Sequence, residues 1–237
     1  MSTALLLAGL IVVVGSVVQG VVGLGLNLVA APLLVLLDPA LVPVPMLLVA
    51  ALLSGLTMIR ERGHADWRGV GWALAGRTPG TAIGVLAVVA LPERWFGLVV
   101  GLSVLVCVGL SVIAWRPRPT PRSLLVAGLA SGVTGTAASI GGPPVAIVYQ
   151  HSDAPQVRAT LGAYFAIGSV VSLGALALAG EVGGAELVAA AWLAPFLLGG
   201  YLVSGPARKL LDANRLRPAL LTVSAGGALL LVVRALV

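Results

Sequence analysis

Residues 131–150 read SGVTGTAASIGGPPVAIVYQ. They end an apolar run, 123–150, that is too long for one ordinary membrane span. A cluster of breakers interrupts it: Gly132, Gly135, Ser139, Gly141, Gly142, Pro143 and Pro144. Residues 19–38, QGVVGLGLNLVAAPLLVLLD, sit in a second overlong run, 2–37, broken at Gly20, Gly23, Gly25, Asn27 and Pro32. The two stretches align without gaps at an offset of 112 residues. Gly20 matches Gly132, Gly23 matches Gly135, Asn27 matches Ser139 and Pro32 matches Pro144. Three unbroken apolar spans follow each. The chain therefore reads as two repeats, 1–115 and 123–237, joined by a basic linker at 116–122. Chance matching in a chain with 31 glycines is the competing explanation; the repeated order of spans weighs against it.

The unbroken spans are 41–59, 69–90, 95–114, 157–179, 186–206 and 218–236. Each is near the ~20 residues a helix needs to cross ~30 Å of hydrocarbon. The composition demands such a solvent. Hydrophobic residues make up 59% of the chain and charged ones 9%, against roughly a quarter charged in soluble domains. Mean hydropathy is +1.10. The expected fold is an all-α integral membrane protein, one transporter domain with two inverted-topology repeats. Each repeat is a broken-helix hairpin plus three transmembrane helices. The basic pI does not point to nucleic acid, because most of the 14 Lys and Arg lie between apolar runs as topology signals. Met1 to Val18 has no basic stretch before it, which argues against a cleaved signal peptide. Cys107 reads as a small buried hydrophobe.

The charges choose between two ways of threading the broken runs. If each run crosses once, the basic residues divide seven against six, which is no bias. If each enters and returns, one side collects Arg60, Arg62, Arg68, Arg116, Arg118, Arg122, Arg158, Arg208, Lys209, Arg215 and Arg217. The other side keeps Arg94 and Arg234, together with Asp38, Glu93, Glu181 and Glu186. The positive-inside rule favours the hairpins and makes the basic side cytoplasmic. Such a repeat starts and ends on opposite faces, so the second enters inverted, as in many secondary transporters. The expected location is the cell (inner) membrane, multi-pass, with both termini outside.

Hairpin arms of ~10–15 residues would rise ~15–22 Å, to the bilayer middle. Asn27 and Ser139 precede the apolar arms 28–37 and 143–150 and can cap them. Two helix starts meeting there would offer free N–H groups to an anion. Gly23, Gly25, Gly141 and Gly142 would let a solute approach the backbone. Thr134 and Thr136 could add hydroxyls, and Pro143 suits a first helical turn. The alternative for the glycines is helix packing. Arg77 lies roughly 13 Å into its span and has no acid at similar depth. It reads as a counter-charge for an anionic solute, or as a snorkelling side chain. Arg158 either snorkels or reaches the solute. His64, His151 and Asp153 read as loop residues, with a proton site as the other reading of His151 and Asp153. No cofactor is expected: there is no metal cluster, no phosphate loop and no Ser–His pair of known spacing. The expected partners are a small anionic solute and membrane lipid, with a coupling proton and a second copy of the chain left open.

Gly20…Gly23-Leu-Gly25-Leu-Asn27…Pro32 and Gly132…Gly135…Ile140-Gly141-Gly142-Pro143-Pro144 resemble the paired glycine-rich motifs of the sulfite exporter TauE/SafE family. Arg158-Ala-Thr160-Leu is similar to that family as well. The first motif departs from the family's Gly-x-Gly-Gly-Gly at Leu26 and Asn27. The resemblance implies a permease for small sulfur-containing anions, such as sulfite or organosulfonates, acting in export or import. A channel, a membrane-embedded enzyme and a subunit of a larger complex are the competing classes. The lack of intramembrane His, Asp or Glu clusters argues against the enzyme.

Overall fold

A computed structural model describes residues 3–22, 26–112, 117–210 and 213–236. Ten α-helices follow in order among them: α1 (Thr3–Val22), α2 (Leu26–Leu37), α3 (Val44–Glu61), α4 (Trp67–Ala90) and α5 (Glu93–Val112). Then come α6 (Pro121–Ala138), α7 (Gly142–Ala146), α8 (Ala154–Leu178), α9 (Gly184–Leu210) and α10 (Ala213–Leu236). No strand occurs among the described residues. Six helices, α3, α4, α5, α8, α9 and α10, are long and apolar enough to cross a membrane. They match the six expected spans within a few residues.

Local signals set the helix ends. Asp66 caps α4, its carboxylate accepting from Gly69 N at 2.9 Å. Thr120 and Ser123 form a reciprocal capping box on α6, with Pro121 in the first turn. Past α8, Gly180 takes φ +83°, the left-handed position that glycine fills without strain.

Both broken runs double back. Gly15 on α1 faces Leu26 of α2, and Leu26 N donates to Gln19 Oε1 at 3.1 Å. In the second run Ser131 Oγ, on α6, donates to Gly141 O at 2.6 Å. The outgoing arms are longer than the 10–15 residues expected: α1 has 20 and α6 has 18. Gly132 and Gly135 lie inside α6 rather than at its break, which falls at Ser139–Gly141. Continued helix is tolerated there because these glycines let a neighbour approach, the packing role small residues take in membranes.

That neighbour is α4. A Cβ on Gly76, Gly80 or Gly84 would meet Leu125, Leu129 or Val133 of α6. One on Gly128 or Gly132 would overlap the Ala73 or Arg77 carbonyl. The constant spacing of these pairs makes α4 and α6 parallel. Helices α1 and α9 pair in the same sense, with Gly9 against Phe196, Val13 against Gly200 and Gly20 against Ser204. Between these pairs α3 runs antiparallel to α8. Glu61 meets Arg158, Thr57 meets Gly162, and Val44 and Leu47 pack with Leu176. Helix α5 is antiparallel to α10: Arg94 Nε donates to Ala235 O, and Gly101 faces Ala228.

Candidate functional site

The turn of the second hairpin is non-helical backbone inside an apolar body, so its polar groups need partners from protein. Side chains supply them. Asn27 Nδ2 donates to Ser139 O. Thr134 Oγ1 donates to Ile140 O at 2.8 Å, and Ser131 Oγ to Gly141 O. Three successive carbonyls are thus satisfied, the first by the residue that matches Ser139 in the other hairpin. The tips of the two broken runs touch.

Both expected caps are differently employed. Asn27 lies one residue inside α2 rather than before it, and its amide spans the hairpins. Ser139 ends α6 in the left-handed region (φ 59°) and donates its hydroxyl to Pro43 O at 2.9 Å. Tertiary acceptors outcompete the local cap. Helix α7 is only five residues long and follows Gly141, which gives it no side-chain cap. The expected arm 143–150 is mostly turn beyond Ala146. So short a helix sums few peptide dipoles. The positive charge at the hairpins is therefore that of a side chain more than of helix starts.

The charge is Arg77, the eleventh of 24 residues in α4 and so near the middle of that helix. It is 2% exposed and does not snorkel. Its Nε donates to Gly168 O at 3.1 Å and its Nη2 to Ser172 Oγ at 3.0 Å. Nη1 makes two longer contacts of 3.4 Å, to Ser131 Oγ and Tyr164 Oη. The guanidinium carbon also stands 5.4 Å from the Tyr164 ring centroid, a cation–π contact. Gly135, Gly141 and Gly168 make the room: a Cβ on any of them would come within 3.2 Å of the guanidinium nitrogens. Every one of these partners is neutral. Among the described residues no carboxylate pairs with Arg77. A buried cation without a counter-charge is costly.

A cavity of about 170 Å³ opens beside it. At ~30 Å³ per water this holds roughly five or six, a space suited to a solute of a few heavy atoms. Both hairpins line it. Asn27 comes from the first; Ser139, Gly141, Gly142 and Pro143 come from the second. Arg77 belongs to the wall as well. Of the expected residues, Thr136 is not brought there. It is buried behind the wall, 2.8 Å from Ser172 Oγ, and buttresses the hydroxyl that accepts from Arg77. Gly23 and Gly25 lie outside the described residues. Thr134 spends its hydroxyl on Ala130 O and Ile140 O.

Several wall residues, Arg158 apart, were not expected. Gln19 and Tyr201 come from α1 and α9. Ala50, Ser54, Thr57 and Glu61 form one stripe of α3, and Arg158, Gly162, Phe165 and Ser169 one stripe of α8. Their signal was the three-to-four-residue spacing of small and polar residues in otherwise apolar spans. Just beyond the cavity, Tyr149 Oη donates to Asp66 Oδ2 at 2.8 Å and Asp66 N to Thr160 Oγ1 at 3.0 Å. These bonds tie the start of α4 to α8 and to the turn after α7. Burial, then donation to the Asp66 carboxylate, pushes the Tyr149 phenol above its ordinary value. It therefore stays a donor at neutral pH. His64, His151 and Asp153 are exposed loop residues.

Six membrane-length helices around a small cavity that carries a buried, unpaired guanidinium describe a multi-pass membrane transporter. Within that class, the chain belongs to the sulfite exporter TauE/SafE family, whose model matches residues 7–231. It is accordingly a transporter of the sulfur-anion exporter type, not an enzyme. No curated protein and no solved structure matches the chain.

Proposed function

We propose that this chain is a secondary transporter of small sulfur-containing anions, such as sulfite or organosulfonates, working by alternating access. The solute binds near the bilayer middle, between the two glycine-rich hairpins, against Arg77, Asn27, Ser139, Gly141, Gly142 and Pro143. The observation that carries this reading is the Arg77 guanidinium: buried halfway along α4, bonded only to neutral groups and open to the cavity. The long 3.4 Å contacts of Nη1 to Ser131 and Tyr164 are the ones an oxyanion would displace, in favour of a charge-assisted bond.

The two repeats, 1–115 and 123–237, are inverted about the linker 116–122, with the basic loops cytoplasmic in the inner membrane and both termini outside. Corresponding helices support this, since α3 runs against α8 and α5 against α10. A single crossing of each broken run would have made both pairs parallel. A reporter active only in the cytoplasm should stay silent when fused after Val237; an active fusion rules out the placement of the termini outside.

The transport test is reconstitution into liposomes with sulfite, thiosulfate, sulfoacetate and small carboxylates, each with and without a pH gradient. Saturable flux of the sulfur anions, dependent on Arg77, is expected. Non-saturating flux would favour an anion channel or facilitator, and preference for carboxylates a transporter of small carboxylates. A response to the pH gradient identifies the coupling proton. No uptake of any anion defeats the proposal.

A further inference from the structure

The described charged residues of the cavity wall are Glu61, Arg77 and Arg158. The first and last of these close the end of the cavity where α3 finishes and α8 begins. Arg158 Nε contacts both Glu61 oxygens, at 2.9 and 3.1 Å. The side chains are 40% and 23% exposed, Arg158 being the more open. From Arg158 to Gly168, whose carbonyl accepts from Arg77, is ten residues of one helix, or ~15 Å. The antiparallel stripes of α3 and α8 run between the two guanidinium groups.

We infer that Arg158 is a second anion station on the route to Arg77, and that Glu61 is a tethered competitor which the solute must displace. This deepens the anion reading above and rests on it. The geometry sets the conditions. Arg158 gives the carboxylate a single nitrogen, not the two-nitrogen fork that an arginine can offer an oxyanion. Half-exposed ion pairs are held weakly, so exchange of one carboxylate for another anion is easy. Glu61 alone would repel an approaching anion, and Arg158 alone would retain it. Paired, they present near-neutral charge until the solute arrives, and the returning carboxylate then helps to expel it.

A mere brace between α3 and α8 makes a different prediction from a competitor. In proteoliposomes, Glu61→Gln should lower the half-saturating sulfite concentration at least threefold and slow the maximal rate. Arg158→Gln should raise the half-saturating concentration at least threefold. The double variant should lose the tightening seen in Glu61→Gln, because without the guanidinium there is nothing to compete for. Glu61→Gln changes charge with little change in volume, so it carries the test even where Arg158→Gln fails to fold. If wild type shows Arg77-dependent sulfite flux while Glu61→Gln leaves half-saturation unchanged, or raises it, the second station is overturned and the transport reading stands. If wild type carries no anion, both fall.

Discussion

The two hairpins share a plan and differ in their chemistry. In the first, α2 runs for 12 residues, its first N–H satisfied by Gln19 and most of its side chains buried. In the second, α7 stops after five residues, and the turn before it is held by Ser131, Thr134 and Asn27. Ser131 occupies the position that Gln19 holds in the first hairpin, at the same offset of 112 residues. It also accepts from Arg77, whereas the matching position in α9 is Ala189. The two tips touch, and of the aligned positions 77 and 189 only Arg77 is a cation. In the proposed transport reading Arg77 is the one buried counter-charge, and a second buried guanidinium beside it would repel it.

The comparison can be broken most sharply at Arg77. Arg77→Ala should abolish measurable sulfite flux, because removing one partner of a desolvated charge contact costs about 2–5 kcal/mol, tenfold or more in affinity. Arg77→Lys keeps the charge and loses the fork, and should recover only part of the flux. Next in size is Gly132→Ala. Its new methyl would overlap the Arg77 carbonyl, and overpacking of this kind costs about 1–3 kcal/mol; thermal unfolding in detergent reads it. The smallest effects set one hairpin against the other. Ser131→Ala leaves the Gly141 carbonyl without its donor, a loss of about 1–3 kcal/mol, and should raise the half-saturating sulfite concentration. Gln19→Ala removes a cap worth about 1 kcal/mol and should lower stability with a smaller effect on flux. Equal effects on flux would mean that the hairpins contribute alike and that the asymmetry is not functional.

The six long helices were legible because hydropathy over ~20 residues is a property of the local chain. Arg77 was legible for the same reason, a single charge inside an apolar span. The caps were misread because the rules for Asn and Ser near helix starts are local, whereas Asn27 and Ser139 find partners 112 and 96 residues away. Thr136 was misread in a similar way: its hydroxyl serves Ser172, not the cavity. Glu61 carries no signal of its own at the end of an apolar span, and only the antiparallel pairing of α3 with α8 brings it to Arg158, 97 residues on. The ring of glycines around α4 and α6 was visible as composition, but which of them pack backbone and which house a guanidinium depended on the neighbour.

The parallel seams have a consequence for how the protein is made. Each hairpin is seated on the fourth helix of the other half: α6 on α4, and α1 on α9. The partner of α6 is already in the membrane when α6 emerges. The partner of α1 is made about 180 residues later, roughly 10–40 s at ~5–20 residues per second. During that interval the glycine face of α1 must lie against lipid, a provisional neighbour, or an insertion factor. Biogenesis should therefore be far more sensitive to changes on α1 than on α6, and pulse-labelled protease protection of the nascent chain would register the delay.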